Sequence, residues 1–203
     1  MCHRMAPMLF AELQDAIRAL RETGRATVPH RAPGIVVPDA YPGSQLPLFV
    51  PDDKGDLQVA TLTWGLPTQV QGRSRLVFNT RIETALAQAR SGSGLWAGPI
   101  ARGRCVVPVH AFWERWTQPD PNGDPSQPKR QVRYQLHGHG VFLMACVREG
   151  DRFSVVTTRP NADVSPVHDR MPLVLAPGES RVWLGPDFAT LADRRNIALD
   201  HQA

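Results

Sequence analysis

The sequence predicts an α+β protein: a single domain, residues 1–203, around a mostly antiparallel, barrel-like β-sheet with a few peripheral helices. Short apolar runs recur along the chain, as expected for many short strands. The 16 glycines and 19 prolines make the sequence rich in turns, which favours such strands over a helical bundle. No internal repeat or clear domain boundary interrupts this pattern.

Two segments carry a helical pattern. Residues 10–21 place three apolar side chains on one helical face and are followed by a stop signal at Gly24; these side chains are Leu13, Ile17 and Leu20. Residues 83–90 consist of good helix formers and predict a second, short helix. Residues 25–46, rich in Pro and Gly, are predicted to form a long irregular connection.

The remaining apolar runs predict strands. Four prolines and an Asp-Pro-Asn-Gly turn signal predict a surface hairpin loop at residues 118–130. Cys105 and Cys146 lie within apolar runs, so we expect both to be buried packing residues rather than reactive thiols. The predicted strands are 46–50, 57–64, 76–79, 104–109, 111–116, 131–136, 141–147, 153–158 and 173–176.

The charge balance permits a nucleic-acid partner without identifying one. The formal net charge is +4, and lysine occurs only at Lys54 and Lys129, so nearly all of the positive charge is arginine. Arginine presents a planar fork of donors that suits phosphate oxygens and can stack on bases. Many proteins with this charge never bind DNA, so the partner has to be inferred from particular residues.

The sequence predicts a reduced, cytoplasmic protein with no membrane association. The three cysteines form no C-x-x-C pair, the N-terminus has no apolar signal segment, and no apolar run approaches about 18 residues. His137 and His139 could form a metal pair, but His-Gly-His-Gly is more typical of a hairpin turn, and no nearby carboxylate or cysteine completes a site. We therefore expect no metal and no cofactor.

The most informative position is Cys2. If Met1 is removed, the new terminus carries an α-amine and a thiol on adjacent carbons, and both are nucleophilic near neutral pH. The amine can condense with an aldehyde to an imine, which the neighbouring thiol then closes to a five-membered thiazolidine ring. The alternative is that a cysteine stands at position 2 without function.

Two further segments place polar residues after apolar strands. Asn79-Thr80-Arg81 comes at the predicted start of a helix, where Asn79 could position an attacking group and Arg81 could hold a phosphate. The alternative is a helix cap followed by a solvated arginine. Further along, His168 lies in a His-Asp-Arg-Met-Pro segment and could exchange protons near pH 7. The alternative there is a hydrogen-bonded loop histidine.

One acidic residue has aromatic neighbours. Glu114 lies in the sequence Phe112-Trp113-Glu114-Arg115-Trp116. A carboxyl group in apolar surroundings has a raised pKa, which suits proton transfer. The alternative is ordinary strand alternation, in which Glu114 points to water.

Together these features resemble one family, the SOS-response-associated peptidase (SRAP) domain proteins, understood as abasic-site processing proteins. The resemblance extends over residues 1 to about 185, and its motifs occur in the family's order. They are Met1-Cys2, Trp64-Gly65, Asn79-Thr80-Arg81-Ile82-Glu83-Thr84, Arg104-Cys-Val-Val-Pro, Phe112-Trp113-Glu114-Arg115-Trp116, Thr157-Thr158, Asn161-Ala162 and His168-Asp169-Arg170-Met171-Pro172. Where family members usually have glycine after the cysteine, this chain has His3.

The resemblance implies a chemistry and a set of catalytic residues. Met1 would be removed, in the family by a proposed autopeptidase activity, and Cys2 would form a reversible thiazolidine with the ring-opened sugar of an abasic site. Asn79 would orient the Cys2 amine and the sugar, and Glu114 would shuttle protons during formation and reversal. His168 would assist opening of the sugar ring.

The resemblance also implies a partner. Arg4, Arg81 and Arg170 would hold phosphates that flank the lesion, and Trp64 would stack on an adjacent base. The expected partner is therefore single-stranded DNA that contains abasic sites. We expect the protein to act as a monomer in the cytoplasm and to associate with the nucleoid during DNA damage.

Two other functions are compatible with parts of the pattern. An N-terminal-nucleophile amidohydrolase would also use a terminal Cys2, but such enzymes are four-layer α/β sandwiches with longer alternating blocks of strand and helix. A non-enzymatic basic module could bind nucleic acid through its sheet. This second alternative leaves Glu114 and His168 without a role.

Overall fold

The computed structural model describes residues 2–23, 38–70, 72–116 and 130–202. The helices in this part of the chain are α1 (Phe10–Thr23), α2 (Ile82–Ser91), α3 (Ala97–Arg102), α4 (Ser180–Leu184) and a 3₁₀ helix (Phe188–Ala192). None of its helices is long and apolar enough to cross a membrane. The strands are β1 (Arg4–Pro7), β2 (Gln45–Pro51), β3 (Leu57–Trp64), β4 (Leu66–Val70), β5 (Arg73–Val77), β6 (Asn79–Arg81), β7 (Arg104–Arg115), β8 (Gln131–Leu136), β9 (Phe142–Glu149), β10 (Arg152–Thr158), β11 (Met171–Pro172), β12 (Val174–Leu175) and β13 (Leu199–Gln202).

Five strands close into a barrel. The main sheet runs in the order β12-β9-β10-β3-β2-β7-β8-β13, and an additional pairing between β9 and β7 joins the ring β9-β10-β3-β2-β7. Most pairings are antiparallel, although β10 pairs in parallel with β3 and β6. The predicted fold class, an α+β protein on a barrel-like, mostly antiparallel sheet, is confirmed.

Alternating side chains divide the apolar core into two clusters. Within each strand every second residue fills the barrel interior, as do Cys105 and Val107 of β7 and Cys146 of β9. Their neighbours of the other parity, such as Val106 and Ala145, face outward and pack against α2, α3, α4 and the 3₁₀ helix. This division follows from the period-two geometry of strands. Cys105 and Cys146 are fully buried, as predicted.

An irregularity at His110 changes which side chains of β7 face the interior. Before it, the odd-numbered Val107 and Val109 point into the barrel, whereas after it the even-numbered Phe112 does so. The pairing with β1 records the extra residue, because Ala6 pairs with Ala111 but the next residue, Pro7, pairs with Val109. A β-bulge of this kind re-aims the side chains that follow it. Glu114 therefore faces inward.

A separate two-stranded hairpin, β4 and β5, leaves the barrel between β3 and β6. Its base is anchored because Leu66 is buried and Val77 packs on the outer apolar cluster. Gly65 at its foot has φ +113°, and a Cβ there would lie 2.5 Å from Cγ of Leu76. Only glycine tolerates both this backbone conformation and this close approach.

The sequence predicted most elements and misjudged several boundaries. The strand at Leu57–Trp64 and the strand at Gln131–Leu136 match the prediction, and the predicted helices correspond to α1 and α2. The separation of residues 104–109 from 111–116 was wrong, since one bulged strand spans Arg104–Arg115. The predicted strand at 76–79 is divided between β5 and β6.

Short elements held by tertiary contacts were missed. They are β1, β4, α3, α4, the 3₁₀ helix and β13, none of which carries a strong local pattern. The predicted hairpin loop at 118–130 lies almost entirely outside the described residues, as does most of the predicted connection at 25–46. The turn at His137–Gly140 joins β8 to β9 as predicted, and His137 Nδ1 lies 2.8 Å from Oδ1 of Asp200.

We predict that Gly65→Ala destabilises the fold more than Gly55→Ala does. Both glycines have positive φ, so each substitution strains the backbone by about 1–2 kcal/mol. Only at Gly65 does the new Cβ meet another side chain, that of the partly exposed Leu76, which has to move and thereby adds to the loss. Urea denaturation of the two variants measures this difference, and equal losses would contradict the close packing of Leu76 on Gly65.

Candidate active site

Strand pairing brings the separated sequence motifs to one region of the barrel. β1 pairs with the second half of β7, with Arg4 opposite Trp113, so the N-terminal residues run beside Glu114. β6 and β11 both pair with β10, and Asn79 lies opposite Val155. The His168–Arg170 segment immediately precedes β11. Four motifs that are far apart in sequence therefore converge here.

Cys2 is completely buried and held by its backbone. Nδ2 of Asn79 donates a 2.9 Å hydrogen bond to the carbonyl oxygen of Cys2, while Oδ1 of Asn79 is buried without a hydrogen-bond partner among the described residues. Burial raises the pKa of the Cys2 thiol well above its usual value, and the nearby Glu114 carboxylate raises it further. Asn79 therefore positions the N-terminal segment, and the alternative that it is merely a helix cap is wrong.

Glu114 is the buried acid of this region. It is 0 % exposed and lies opposite Val132 of β8, so the alternative that it points to water is wrong. Burial raises the pKa of Glu114 to about 7; Asp169 adds to the effect, and the positive amino terminus of the chain opposes it. A carboxyl group with this pKa can both donate and accept a proton near neutral pH.

His168 faces the same group of charges. It is almost fully buried, and its Nδ1 accepts a 2.9 Å hydrogen bond from the backbone N–H of Arg170 while lying 2.9 Å from Oδ1 of Asp169. Burial lowers the pKa of His168, as does the positive charge of the amino terminus, and Asp169 opposes the change. The lowered pKa favours the neutral ring at pH 7.

Two of the arginines predicted to bind phosphate differ sharply in exposure. Arg170 is buried, and its guanidinium donates two hydrogen bonds to the Glu83 carboxylate, at 2.7 and 2.9 Å, and one to the carbonyl of Thr157. These contacts tie α2 to β10, so Arg170 is occupied as a structural cation. Arg81, at the N-cap of α2, is exposed. Arg81 is therefore placed where it can meet a phosphate.

The third predicted arginine, Arg4, lies on a partly exposed basic surface. Its guanidinium donates a 2.8 Å hydrogen bond to Asp39 and one to Gln131, and stacks 4.2 Å from the centroid of the Trp113 ring. Arg133 covers the same ring at 5.9 Å. Sequence analysis missed this row of two arginines and a tryptophan, because the register of three strands assembles it.

Trp64 and His3 are both held by contacts within the protein. Trp64 is 0 % exposed, stacks on Phe153 and donates from Nε1 to the carbonyl of Phe78 at 2.9 Å. Neither face of its ring is available to a base, so the structure gives Trp64 a packing role instead of the predicted stacking role. His3 accepts a 3.0 Å hydrogen bond from Nε of Arg115, which holds its ring on the Arg115 side.

We predict opposite pH dependences for the stability of two carboxamide variants. Glu114 has a folded-state pKa of about 7 against an ordinary 4.5, so burying its charged form costs about 3 kcal/mol above pH 7 and nothing below 4.5. Glu114→Gln should therefore be more stable than the wild type at pH 8 by up to about 3 kcal/mol. This advantage should disappear as the pH falls towards 4.5, as followed by urea denaturation.

Glu83→Gln is the matched control with the opposite sign. Burial raises the pKa of Glu83, but the hydrogen bond from Arg170 outweighs it and the net pKa is lowered. The charged form thus stabilises the fold above pH 4.5, and this contribution is lost as the pH falls through the folded-state pKa. Glu83→Gln should be less stable than the wild type at pH 8. Parallel pH profiles for the two variants would contradict the assigned environments.

This chain is similar in sequence to several named proteins. Two relatives are named abasic site processing proteins: YoqW of Bacillus subtilis, 26% identical over 152 residues, and YedK of Escherichia coli K12, 28% identical over 196 residues. The matches span 70% and 93% of this chain, and 64% and 82% of the respective relatives. The match to YoqW thus spans a little under two thirds of that protein.

A solved structure shares the fold of this chain, and a family model identifies its family. A phage-related protein from Bordetella bronchiseptica superimposes with a TM-score of 0.64 at 22% identity, covering 99% of this chain and 93% of that one, which shows a shared fold. The family model described as SOS response associated peptidase (SRAP) matches residues 1–202. The chain therefore belongs to the SRAP family.

Proposed function

We propose that this protein processes abasic sites in single-stranded DNA by forming a reversible covalent crosslink through Cys2. The observation that carries the proposal is the buried Glu114, whose pKa is raised to about 7 beside Cys2, while Asn79 holds the Cys2 backbone. The relatives named as abasic site processing proteins support the same function.

The chemistry requires that Met1 be removed first. While Met1 is attached, the nitrogen of Cys2 is a peptide nitrogen and cannot form an imine. Removal of Met1 creates an α-amine at a position already fixed by the hydrogen bond from Asn79 to the Cys2 carbonyl. A cysteine autopeptidase activity, which the family resemblance implies, is one route to the removal of Met1.

The crosslink then forms in two steps. The Cys2 amine adds to the aldehyde of the ring-opened sugar, and loss of one water gives a protonated imine. The Cys2 thiol adds to the imine carbon and releases its proton, which closes the thiazolidine ring and leaves a neutral secondary amine. The product mass is that of the protein without Met1 plus the DNA minus one water.

Glu114 and His168 divide the proton transfers. Glu114 protonates the departing hydroxyl during imine formation and accepts the thiol proton during ring closure, for which a pKa of about 7 is well suited. The neutral His168 assists opening of the sugar ring by exchanging a proton with its hydroxyl group. Reversal of the crosslink passes through the same protonated imine.

Binding of the flanking DNA relies first on Arg81, which is exposed and free of the structural ion pair that occupies Arg170. Arg4 is partly exposed beside Trp113 and is paired with Asp39, so a phosphate would have to compete with that carboxylate. Phosphate contacts of this kind require no sequence readout, which suits a lesion that arises at any position. The protein would act as a monomer in the cytoplasm and reach the nucleoid when DNA is damaged.

Neither alternative function fits the structure as well. An amidohydrolase with an N-terminal nucleophile is a four-layer sandwich, whereas this chain closes a five-strand barrel. A passive nucleic-acid module gives no reason for a carboxyl group buried at 0 % exposure beside a buried cysteine. Such a burial is costly unless the group has a chemical role.

We predict that Cys2→Ala abolishes the covalent adduct while leaving non-covalent binding to single-stranded DNA largely intact. The alanine variant keeps the backbone contact to Asn79 but has no thiol to close the ring, so that any imine stays hydrolysable. Intact-mass measurement after incubation with an oligonucleotide carrying one abasic site tests this outcome. Cys105→Ala, which removes another buried thiol, is the control and should retain the adduct. A heat-stable adduct in the Cys2→Ala variant would refute the mechanism.

We also predict that Glu114→Gln slows both formation and release of the crosslink. Glutamine keeps the shape of the side chain but cannot transfer a proton, and both directions share the protonated imine. Catalysis by one positioned acid–base group contributes about 10²–10⁴-fold, so losses of this order are expected. Rates are measured by gel for crosslinking and for transfer to excess competitor DNA. A change in only one direction would argue against the shared role.

A further inference from the structure

The β4–β5 hairpin carries an exposed positive charge that the residues around Cys2 do not use. Arg73 and Arg75 alternate on β5, so both side chains lie on the same face of the hairpin. Both are exposed, and neither forms an ion pair with a described residue. The sequence between Leu66 and Val77 contains no acidic residue, so the hairpin is purely basic.

The hairpin is attached to the candidate site at both ends. β4 begins two residues after Trp64 and β5 ends two residues before Asn79, which binds the Cys2 carbonyl. Nε1 of Trp64 donates to the carbonyl of Phe78, and Arg152 donates to the carbonyl of Gly65 at 3.1 Å. These contacts fix the foot of the hairpin to the barrel wall, so its direction relative to Cys2 is set.

Charge is distributed unevenly along β3, the strand that precedes the hairpin. The turn before β3 carries Asp52, Asp53 and Asp56 with a single lysine, and the other end of β3, about 23 Å away, leads into the basic hairpin. A polyanion approaching Cys2 is therefore repelled at one end of β3 and attracted at the other. Arg81, at the start of α2, extends the positive end.

We propose that the β4–β5 hairpin is an arm that binds the phosphate backbone of the DNA strand away from the lesion, through Arg73 and Arg75. This inference rests on the proposed function for the identity of the strand. Arg75 lies four residues from Asn79, about 13 Å along an extended strand, which corresponds to about four nucleotides of a stacked single strand. The arm thus contacts phosphates that a very short substrate does not have.

The test compares Arg73→Gln/Arg75→Gln with a matched control, Arg90→Gln/Arg102→Gln, which removes the same charge from exposed positions on α2 and α3. The probe is a long single strand, with about ten nucleotides on either side of a tetrahydrofuran analogue that has no aldehyde. Each phosphate contact adds about 0.7 to the slope of log K against log salt, so the hairpin variant should lose about 1.4 from the slope. Its loss of affinity between 50 and 200 mM salt should be about sevenfold smaller than that of the wild type.

A second measurement separates the arm from the site. Crosslinking to a short oligonucleotide, with a single nucleotide on either side of a true abasic site, should proceed at the same rate in the wild type and both variants. The proposal is overturned if the hairpin variant keeps the wild-type salt slope, or if it loses crosslinking to the short substrate. If the wild type forms no adduct with a true abasic site in either a short or a long strand, the proposed function fails, while the salt slopes still test whether the hairpin binds phosphates.

Discussion

The inward orientation of Glu114 is the constraint on which the site depends, and a single extra residue in β7 produces it. Without the irregularity at His110, the alternation set by Val107 and Val109 would turn Glu114 out of the barrel, where its pKa would be ordinary. With it, the carboxyl group is enclosed opposite Val132 and beside Cys2. The bulge therefore turns inward, into the barrel, a glutamate that would otherwise lie on the surface.

The barrel makes this burial possible because it anchors each neighbouring segment independently. β1 is held by β7, β6 by β10, and the His168–Arg170 segment by β11 and by the ion pair of Arg170 with Glu83. No single loop has to carry the whole geometry. A site assembled from rigid strands holds its groups in a more closely defined geometry than one assembled from loops.

Electrostatics links this rigid interior to the surface. The amino terminus and Asp169 both act on the protonation of the buried Glu114 carboxyl and of the His168 ring. Outside, the exposed arginines of the hairpin and Arg81 at the start of α2 add positive charge to the surface. The buried ionisable groups and the exposed arginines are thus separate sets of charges, and salt screens the exposed set far more than the buried one.

The sequence by itself determined the fold class, most strands and the residue types of the site, because these depend on local periodicity and on motifs that lie within short segments. Local patterns and motifs singled out Cys2, Asn79, Glu114 and His168 as candidates, and the structure brings these four residues to one region. Only the tertiary structure decided which side chains are reachable: Trp64 proved buried, and Arg170 proved bound to Glu83. Exposure and partner choice depend on strand register and on contacts between segments far apart in sequence, which no local pattern in the chain specifies.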